Sequence, residues 1–298
     1  MSAVPPSERW GVVGHGRVGR TFARRLAAQG ALQWAWTRTR RDDEADDGSL
    51  HAGGLPAFGA VDVVLVAVPD DALSRLVEVA CSSDPDAASR IWLHTSGVRG
   101  AAALRDAGVT GPVGTCHPLA SLTGSADDDA TLRGAFVAVG GDPAAVLAAS
   151  NFARSIDARP GVVPDDARVA YHLAAVLASN GVYAVLEAAR AVCARAGIES
   201  DELTEALSHL ALGSARGAWQ RGVDDAITGP VSRGDAGTIQ QHLAWLTQAD
   251  PERLVLYRSL AREQLAVAER SGLPSARVRA VDHALATDET GPRPPSDE

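Results

Sequence analysis

The sequence predicts an α/β fold, in which a parallel β-sheet carries helices on its faces, followed by a second, all-helical domain. In the first half, short apolar runs that end in turn residues alternate with helical segments, a pattern typical of a parallel sheet. After residue 142 the strand patterns stop, and the later apolar runs are long and helical. We therefore expect domains at 1–158 and 159–286, and an acidic, proline-rich tail at 287–298 that is disordered.

Six apolar runs in the first half are the predicted strands. The first run continues into a helix that ends near Gly30, and helices are also expected in DDALSRLVEVA and GAAALRDAG. In chain order the predicted strands are WGVVG, ALQWAWTRTR, VDVVLVAVP, RIWLHTSG, GPVGTCHP and GAFVAVGGD.

The amino-acid composition limits which classes of protein and which kinds of chemistry are possible. The 298 residues are 46% hydrophobic and 22% charged, which is typical of a globular protein. The net charge of −9 argues against a broad nucleic-acid surface, since such surfaces carry excess positive charge. All 28 basic residues are arginine. A lysine Schiff base, a lysine general acid and a Walker-type lysine are therefore excluded.

Other features concern location and metal binding. Cys81, Cys116 and Cys193 are widely spaced, which does not indicate a disulfide framework, and no metal-ligand cluster is evident. The first residues lack a signal-peptide pattern, and the longest apolar run is shorter and more polar than a membrane span. We expect a cytoplasmic protein that binds neither membrane nor nucleic acid.

A GxGxxG motif lies between the first strand and the first helix, where it indicates a dinucleotide-binding turn. Gly14 would allow the tight turn, Gly16 the approach of a pyrophosphate, and Gly19 the close packing of helix and strand. The start of the helix would supply amide donors. The other reading is a glycine-rich turn without a ligand. The predicted contacts of this motif are Gly14, His15, Gly16, Arg17, Val18 and Gly19.

The end of the second strand predicts which dinucleotide is bound. Sites that prefer NAD usually place an acid here to bind the ribose hydroxyl, whereas this strand ends in Thr37 and Arg38. An arginine can pair with the 2′-phosphate of NADP(H). We therefore predict NADP(H), bound by Thr37 and chiefly by Arg38, with help from Arg40 and Arg41. A solvated charged loop is the alternative.

Polar residues end three further strands. In an open α/β sheet, ligands lie beyond the carboxyl ends of the strands, so we expect His94, Ser96 and His117 on the cofactor side. A histidine there can also simply cap a turn. From the same strand ends, the predicted cofactor contacts are Val68, Pro69 and Thr95.

The long apolar segment from Asp165 to Gly197 predicts a helix buried on most sides, packed by neighbouring helices or by a second subunit. His172 and Asn180 on this helix can share a broad face, and a buried asparagine needs hydrogen-bond partners. For each residue taken alone, a structural role is the simpler interpretation.

A glycine- and proline-rich turn, TGPVSRGDAG, interrupts the late helices. It is interpreted as a rigid turn that faces a ligand, with Arg233 as a fork-shaped donor for a carboxylate or phosphate. Asp235 is the expected N-cap of the next helix, on which Thr238 and His242 would face the same ligand. A well-capped helix connection is the alternative.

Six motifs in order carry a resemblance that covers about residues 8 to 260: GxGxxG, VPDDAL, HTSG, CHPLASL, YHLAAVLASN and TGPVSRGDAGTIQQHL. The chain resembles a bacterial family in which a Rossmann-like domain precedes a helical domain of unknown function. That family is related to pyrroline-5-carboxylate reductases and to 6-phosphogluconate and 3-hydroxyacid dehydrogenases. The resemblance implies a 6-phosphogluconate-dehydrogenase-like helical domain, which dimerises and closes the substrate site.

The implied activity is hydride transfer to or from a small carbonyl or imine substrate that carries an anionic group. Hydroxyacid dehydrogenases of this class use a lysine four residues before a helical asparagine. Here Val176 stands four residues before Asn180, so His172 becomes the candidate proton donor, and imine reduction is easier to reconcile. A dinucleotide-binding sensor or scaffold without turnover is the alternative function. The predicted catalytic set is His172, Asn180, Ser96, His117 and Arg233.

Overall fold

The computed structural model describes residues 8–39, 49–84 and 86–286. These residues divide into two compact units, which meet in the sequence at Ser179 and Asn180. The predicted boundary at 158/159 lies earlier, because the next strand and the first helix of the apolar segment belong to the first unit. The predicted tail at 287–298 lies outside the described residues.

The first unit contains one eight-stranded sheet in the order β3-β2-β1-β4-β5-β6-β7-β8. The strands are β1 (Trp10–Val13), β2 (Leu32–Thr37), β3 (Leu50–Ala52), β4 (Val63–Val66), β5 (Ile91–His94), β6 (Val113–Pro118), β7 (Phe136–Gly141) and β8 (Arg159–Val162). All neighbouring strands are parallel except β6 and β7, which are antiparallel. The predicted parallel sheet therefore contains one antiparallel pair.

The two strands that periodicity missed lie at the edges of the sheet. β3 is three residues long and buries none of them, and β8 has the sequence RPGV, which lacks an apolar run. The prediction that strands stop after residue 142 is therefore wrong. An edge strand needs only one hydrogen-bonded neighbour and can tolerate proline and glycine, so its sequence carries a weak signal.

The central strands are buried on both faces, as their continuous apolar runs require. Along β1 and β4, alternate side chains enter two separate cores. Trp10 packs with Phe22 and Phe152 on one face of the sheet, while Trp34 and Trp92 pack with Phe58 on the other.

Six helices belong to the first unit. They are α1 (Arg17–Ala28), α2 (Asp70–Ser83), α3 (Ala102–Asp106), α4 (Asp128–Leu132), α5 (Pro143–Ser155) and α6 (Arg168–Ala178). The predicted long apolar helix is interrupted at Ser179, where α6 ends and the second unit begins.

The second unit is helical throughout its described residues. Its helices are α7 (Asn180–Arg195), α8 (Asp201–Arg221), α9 (Val223–Ala226), α10 (Pro230–Arg233), α11 (Ala236–Ala249), α12 (Leu254–Arg270) and α13 (Ser275–Ala286). The core of this unit is formed by α10 to α13, around Ile239, Leu265 and Leu285.

The expectation that the long apolar segment is buried on most sides is wrong for the single chain. Neither α7 nor α8 buries a residue, and Leu177, Tyr183 and Leu210 are each 67% exposed. In the described part of the chain, Asp165–Arg195 is also the stretch that is long and apolar enough to cross a membrane. Core helices of soluble proteins share that length and composition.

Candidate dinucleotide site and strand-end cluster

The turn between β1 and α1 contains three glycines, and two of them are required by the packing. Gly14 has φ +99°, and a Cβ there would collide with the carbonyl oxygen of Ala67 on the neighbouring strand end. A Cβ on Gly19 would collide with the carbonyl oxygen of Gly14, so helix and turn can pack only without one. Around Gly16, in contrast, a Cβ would meet nothing within 4 Å. The space above Gly16 is therefore open to a ligand.

Helix α1 begins at this open glycine without a side-chain cap. The first amides of a helix have no partner within it and carry partial positive charge. An anionic group of a ligand can accept hydrogen bonds from these amides and balance their partial positive charge.

Beside this turn lies a cavity of about 400 Å³. Its volume falls within the range usual for ligand sites, which is roughly 300–1,000 Å³. The lining residues are Gly14, His15, Gly16, Trp36, Thr37, Arg38, Ala67, Val68, Pro69, Asp71, Ala72 and Leu76.

The cavity brings together most of the residues predicted to bind the cofactor, from three strand ends. Thr37 and Arg38 lie at one side of it and Val68 and Pro69 at another. The side chain of Arg38 is exposed. Arg40 and Arg41, its predicted helpers, lie outside the described residues.

Four predicted contacts do not line this cavity: Arg17, Val18, Gly19 and Thr95. The first three form the start of α1, where their backbone amides rather than their side chains face the turn. Thr95 is turned back onto the sheet, since its amide donates to the carbonyl oxygen of Val66 at 3.0 Å.

Trp36 and Asp71 also line the cavity, although sequence reasoning did not select them. The indole Nε1 of Trp36 donates to the carbonyl oxygen of Gly53 at 3.0 Å. A tryptophan inside a strand is normally assigned to the core, so its place beside the turn follows only from the packing.

Ser96, a predicted catalytic residue, is held at the ends of β4 and β5. Its hydroxyl donates to Oδ2 of Asp70 at 2.9 Å and accepts from the amide of Arg99 at 3.0 Å. Asp70 lies between Pro69 and Asp71, which both line the cavity. Ser96 therefore couples the turn after β5 to the cavity wall.

His94 is fully buried and has a structural environment. Its Nε2 is 3.0 Å from the carbonyl oxygen of Gly100, and its Nδ1 accepts from the amide of Ser96 at 3.2 Å. Burial lowers its pKa to about 4, so the ring is neutral near pH 7. It acts as a turn cap, the simpler of the two roles considered for it.

Arg168, the first residue of α6, is completely buried beneath this cluster. Its guanidinium donates to Oγ1 of Thr115 at 2.9 Å and to the carbonyl oxygen of Ser96 at 2.8 Å. Burial lowers its pKa, while the charge of nearby Asp165 raises it. Burying a guanidinium is costly, so its position beneath the strand ends indicates a role in the site.

His117 is the next-to-last residue of β6, and its Nδ1 lies 2.9 Å from the hydroxyl of Tyr171 on α6. The ring of His172 is near it, at 6.2 Å between centroids. Gly97 completes this contact, because a Cβ there would strike His172 and lie 2.9 Å from Nε2 of His117. The structure thus gathers Gly97, His117, Tyr171 and His172 at the carboxyl ends of β5 and β6.

Tyr171 and Arg168 are members of this cluster that sequence reasoning missed. Tyr171 precedes a histidine that was singled out, and Arg168 is a lone charge at the start of a nearly apolar helix. Either could have been noticed on those grounds. Which of them face the sheet, however, depends on how α6 is rotated about its axis.

Asn180 and Arg233 belong to the second unit. Asn180 begins α7 and is exposed, so the expectation of a buried asparagine is wrong for the single chain. Arg233 ends α10 with an exposed side chain, while its carbonyl oxygen accepts from Arg277 at 2.9 Å. Their catalytic roles remain predictions.

The turn that contains Arg233 is fixed by its own contacts. Gly229 and Gly234 have φ of +104° and +68°, and Asp235 caps α11 by accepting from the amide of Thr238, as predicted. The Thr238 hydroxyl also donates to Asp235, and the Nδ1 of His242 is 2.8 Å from the hydroxyl of Tyr257. Both predicted ligand-facing side chains therefore have partners within the unit.

Comparisons with solved structures define the fold class. Protein TM1727 from Thermotoga maritima is 23% identical, with a TM-score of 0.70 over 88% of this chain and 98% of that one. A Plasmodium falciparum pyrroline carboxylate reductase with NADP bound is 12% identical, with a TM-score of 0.58 over 90% and 98% of the two chains. A Streptomyces aurantiacus imine reductase is 18% identical, with a TM-score of 0.53 over 93% of each chain. The predicted fold class, a Rossmann-like unit followed by a helical region, is confirmed.

A family match supports the predicted resemblance. Residues 135–264 match the family described as Domain of unknown function (DUF2520). The match begins just before β7 of the first unit and ends within α12 of the second. A comparison with curated protein sequences finds no match.

Proposed function

We propose that this protein is an NADP(H)-dependent oxidoreductase that acts on a small carbonyl or imine substrate carrying an anionic group. One observation carries the proposal: an open, uncapped glycine turn adjoins a cavity lined by Pro69 and Asp71, and Asp70 between them is hydrogen-bonded to Ser96 of the polar strand-end cluster. Reductases with this fold bind NADP, as in the Plasmodium structure, and act on imines, as the Streptomyces enzyme is named.

The residues present fit NADP(H). The amides at the start of α1 would hold the diphosphate, the wall formed by Val68 and Pro69 would contact the nucleoside, and Arg38 would pair with the 2′-phosphate. When bound, the reduced cofactor supplies a hydride. The protein's own part is to orient the substrate, exclude water and deliver a proton.

A sensor or scaffold without turnover is the second candidate. The fully buried Arg168 and the paired His117 and Tyr171 favour an enzyme, because a protein that only binds the dinucleotide needs no such groups beyond the cavity. Loss of NADPH absorbance with a panel of cyclic imines and oxo acids distinguishes the two. Binding of NADPH without turnover of any compound in the panel would favour the sensor.

Arg38 gives the test of cofactor choice. We expect Arg38→Ala to weaken NADPH binding about 10- to 100-fold, because a charge-assisted hydrogen bond is lost. NADH, which lacks the 2′-phosphate, should bind the variant and the wild type alike. Calorimetric titration with both nucleotides measures this, with Arg75→Ala, an exposed arginine of α2 outside the cavity, as the control. A wild-type preference for NADH would contradict the assignment.

The proposal includes a homodimer formed through the helical segments. Exposed apolar side chains on α6, α7 and α8 need a cover in water: Leu173, Leu177, Tyr183, Leu210 and Trp219. Sedimentation velocity should give the mass of a dimer at micromolar concentration. A monomer that sediments with lipid vesicles would instead indicate membrane binding by the same segments.

A further inference from the structure

No lysine is available to protonate a reduced carbonyl, so the proton must come from another group at the strand ends. The hydroxyl of Ser96 already donates to Asp70, and both ring nitrogens of His94 are engaged. Arg168 is fully buried and donates to two oxygens. The pair formed by His117 and Tyr171 is different, because it is only partly buried and retains unused polar atoms within the described structure.

The geometry of this pair suits proton delivery. The Nδ1 of His117 and the hydroxyl of Tyr171 are 2.9 Å apart, and the two rings meet edge-on at 89° with centroids 5.5 Å apart. If the imidazole carries its proton on Nδ1, it donates to the phenol oxygen, and the phenol O–H is free to point elsewhere. The hydroxyl would then be held in place without losing its proton.

We propose that Tyr171, oriented by a hydrogen bond from Nδ1–H of His117, is the proton donor to the oxygen of a carbonyl substrate. This inference rests on the proposed function and names the residue that takes the place of the missing lysine. It differs from the sequence-based choice of His172, whose ring packs near Gly97 and His117.

The proton transfer accompanies the addition of a hydride to the carbonyl carbon. When the carbonyl carbon accepts a hydride, the C=O electron pair moves onto oxygen. The O–H bond of Tyr171 breaks as the new O–H bond forms on the substrate. The phenolate that remains accepts the hydrogen bond from His117 and later regains a proton from water.

The charges around the pair support these protonation states. Burial, and then the charge of Arg168, lower the pKa of His117 to about 4, so the ring is neutral at working pH. His172 and His94 act in the same direction, and Asp70 opposes them. Burial raises the pKa of Tyr171, so the hydroxyl keeps its proton, while Arg168 stabilises the phenolate formed in the reaction.

The first experiment determines the tautomer of His117 by NMR, so it does not depend on a measurement of enzyme activity. Long-range ¹H–¹⁵N spectra of the full-length protein distinguish Nδ1–H from Nε2–H, and the His117→Asn variant identifies the resonance. We expect the Nδ1–H form in the wild type and a shift of that resonance in Tyr171→Phe. An Nε2–H tautomer would overturn the proposal, because the phenol would then donate to His117.

The second experiment compares two substrates that differ in their need for a proton. A carbonyl compound needs one on reduction, whereas an N-methylated cyclic iminium ion accepts a hydride and becomes a neutral amine. For Tyr171→Phe we expect kcat on the carbonyl to fall about 100-fold or more, while kcat on the iminium stays within about twofold. NADPH affinity should not change.

Tyr257→Phe is the matched control, since it removes the hydroxyl of the second histidine–tyrosine pair, formed with His242 at 2.8 Å. It should leave both rates and the His117 resonance unchanged. Equal losses on both substrates in Tyr171→Phe would show a structural role, and an unchanged carbonyl rate would exclude Tyr171 as the donor. Either result overturns this inference alone, whereas a wild type that binds NADPH and reduces nothing overturns the proposed function and the inference with it.

Discussion

The α/β unit and the helical unit bury their side chains in different ways. In the first unit, both faces of the sheet are covered, so Phe152, Trp10 and Trp92 are fully buried. In the second, only the helices α10 to α13 enclose a core, and α7 and α8 leave every residue at least partly exposed. A sheet covered on both sides completes its core within one chain, whereas a helix with apolar residues around its circumference needs further neighbours.

Helix starts also differ in whether a side chain caps them. The N-cap of α11, Asp235, accepts a hydrogen bond from the amide of Thr238, and the N-cap of α8, Ser200, accepts one from Leu203. Helix α1 begins at Gly16, which has no side chain to offer. A cap satisfies the first amides permanently, while an uncapped start leaves them for a ligand. Helices α2, α5 and α6 also begin without a side-chain cap, so the cavity beside Gly16, rather than the missing cap, distinguishes the start of α1.

The largest expected effect comes from a substitution in the core of the first unit. Phe152→Ala should lower the free energy of unfolding by about 3–5 kcal/mol, because it removes a ring that packs against Trp10 and Phe22. Leu210→Ala, at a 67% exposed site on α8, should cost less than about 0.5 kcal/mol in dilute protein. Urea unfolding measures both. A loss for Leu210→Ala that grows with protein concentration would show that a partner covers α8.

Acid should destabilise the first unit next most strongly. The pKa of buried His94 is about 4 in the folded protein and 6.5 in the unfolded chain. The unfolded chain therefore binds more protons, and stability present above pH 6.5 is lost as the pH falls toward 4. The loss from His94 is on the order of 3 kcal/mol by pH 4. Urea midpoints between pH 7 and 4 test this, and His94→Gln, which cannot titrate, should show a shallower decline.

The smallest expected effects come from two substitutions, one that removes the cap of α11 and one that adds a cap to α1. Asp235→Ala should lower stability by about 1 kcal/mol, since α11 loses its cap. Gly16→Asp should raise stability by a few tenths of a kcal/mol, because a carboxylate then caps α1. The same carboxylate would occupy the amides and repel phosphates, so NADPH binding should be lost. Thermal unfolding and calorimetry measure the two effects, and tight NADPH binding by Gly16→Asp would contradict the assignment of this turn.

Sequence patterns predicted the central strands because those strands are buried on both faces, where only apolar runs are tolerated. They missed β3 and β8 at the edges of the sheet, and they missed that β7 runs antiparallel to β6. Strand direction depends on the path of the connecting chain, and an edge strand is specified by backbone hydrogen bonds that any residue can make. The predicted boundary at 158/159 precedes β8 for the same reason, since β8 carries no apolar signal, whereas the described residues divide at Ser179 and Asn180.

The site residues that the sequence selected by local pattern are the ones whose type or position a local rule can fix. The spacing of Gly14, Gly16 and Gly19 selected the turn, and the structure shows that a Cβ is excluded at Gly14 and Gly19 and that space is open at Gly16. Ser96 and His117 were selected because they lie at strand ends, and their binding and catalytic roles stay predictions. Their hydrogen-bond partners, Asp70 and Tyr171, lie 26 and 54 residues away in the chain, and no local pattern connects them.

The sequence by itself determined the glycine turn, the alternation of strands and helices, and the absence of lysine chemistry, because each follows from residue type at a given position. Only the tertiary structure decided that Arg168 lies buried beneath the strand ends and that Tyr171 rather than His172 pairs with His117. The physical reason is that the rotation of α6 about its axis is set by packing against the sheet. Neighbouring residues on a helix differ by about 100° in direction, so the rotation of α6 decides which one meets the site.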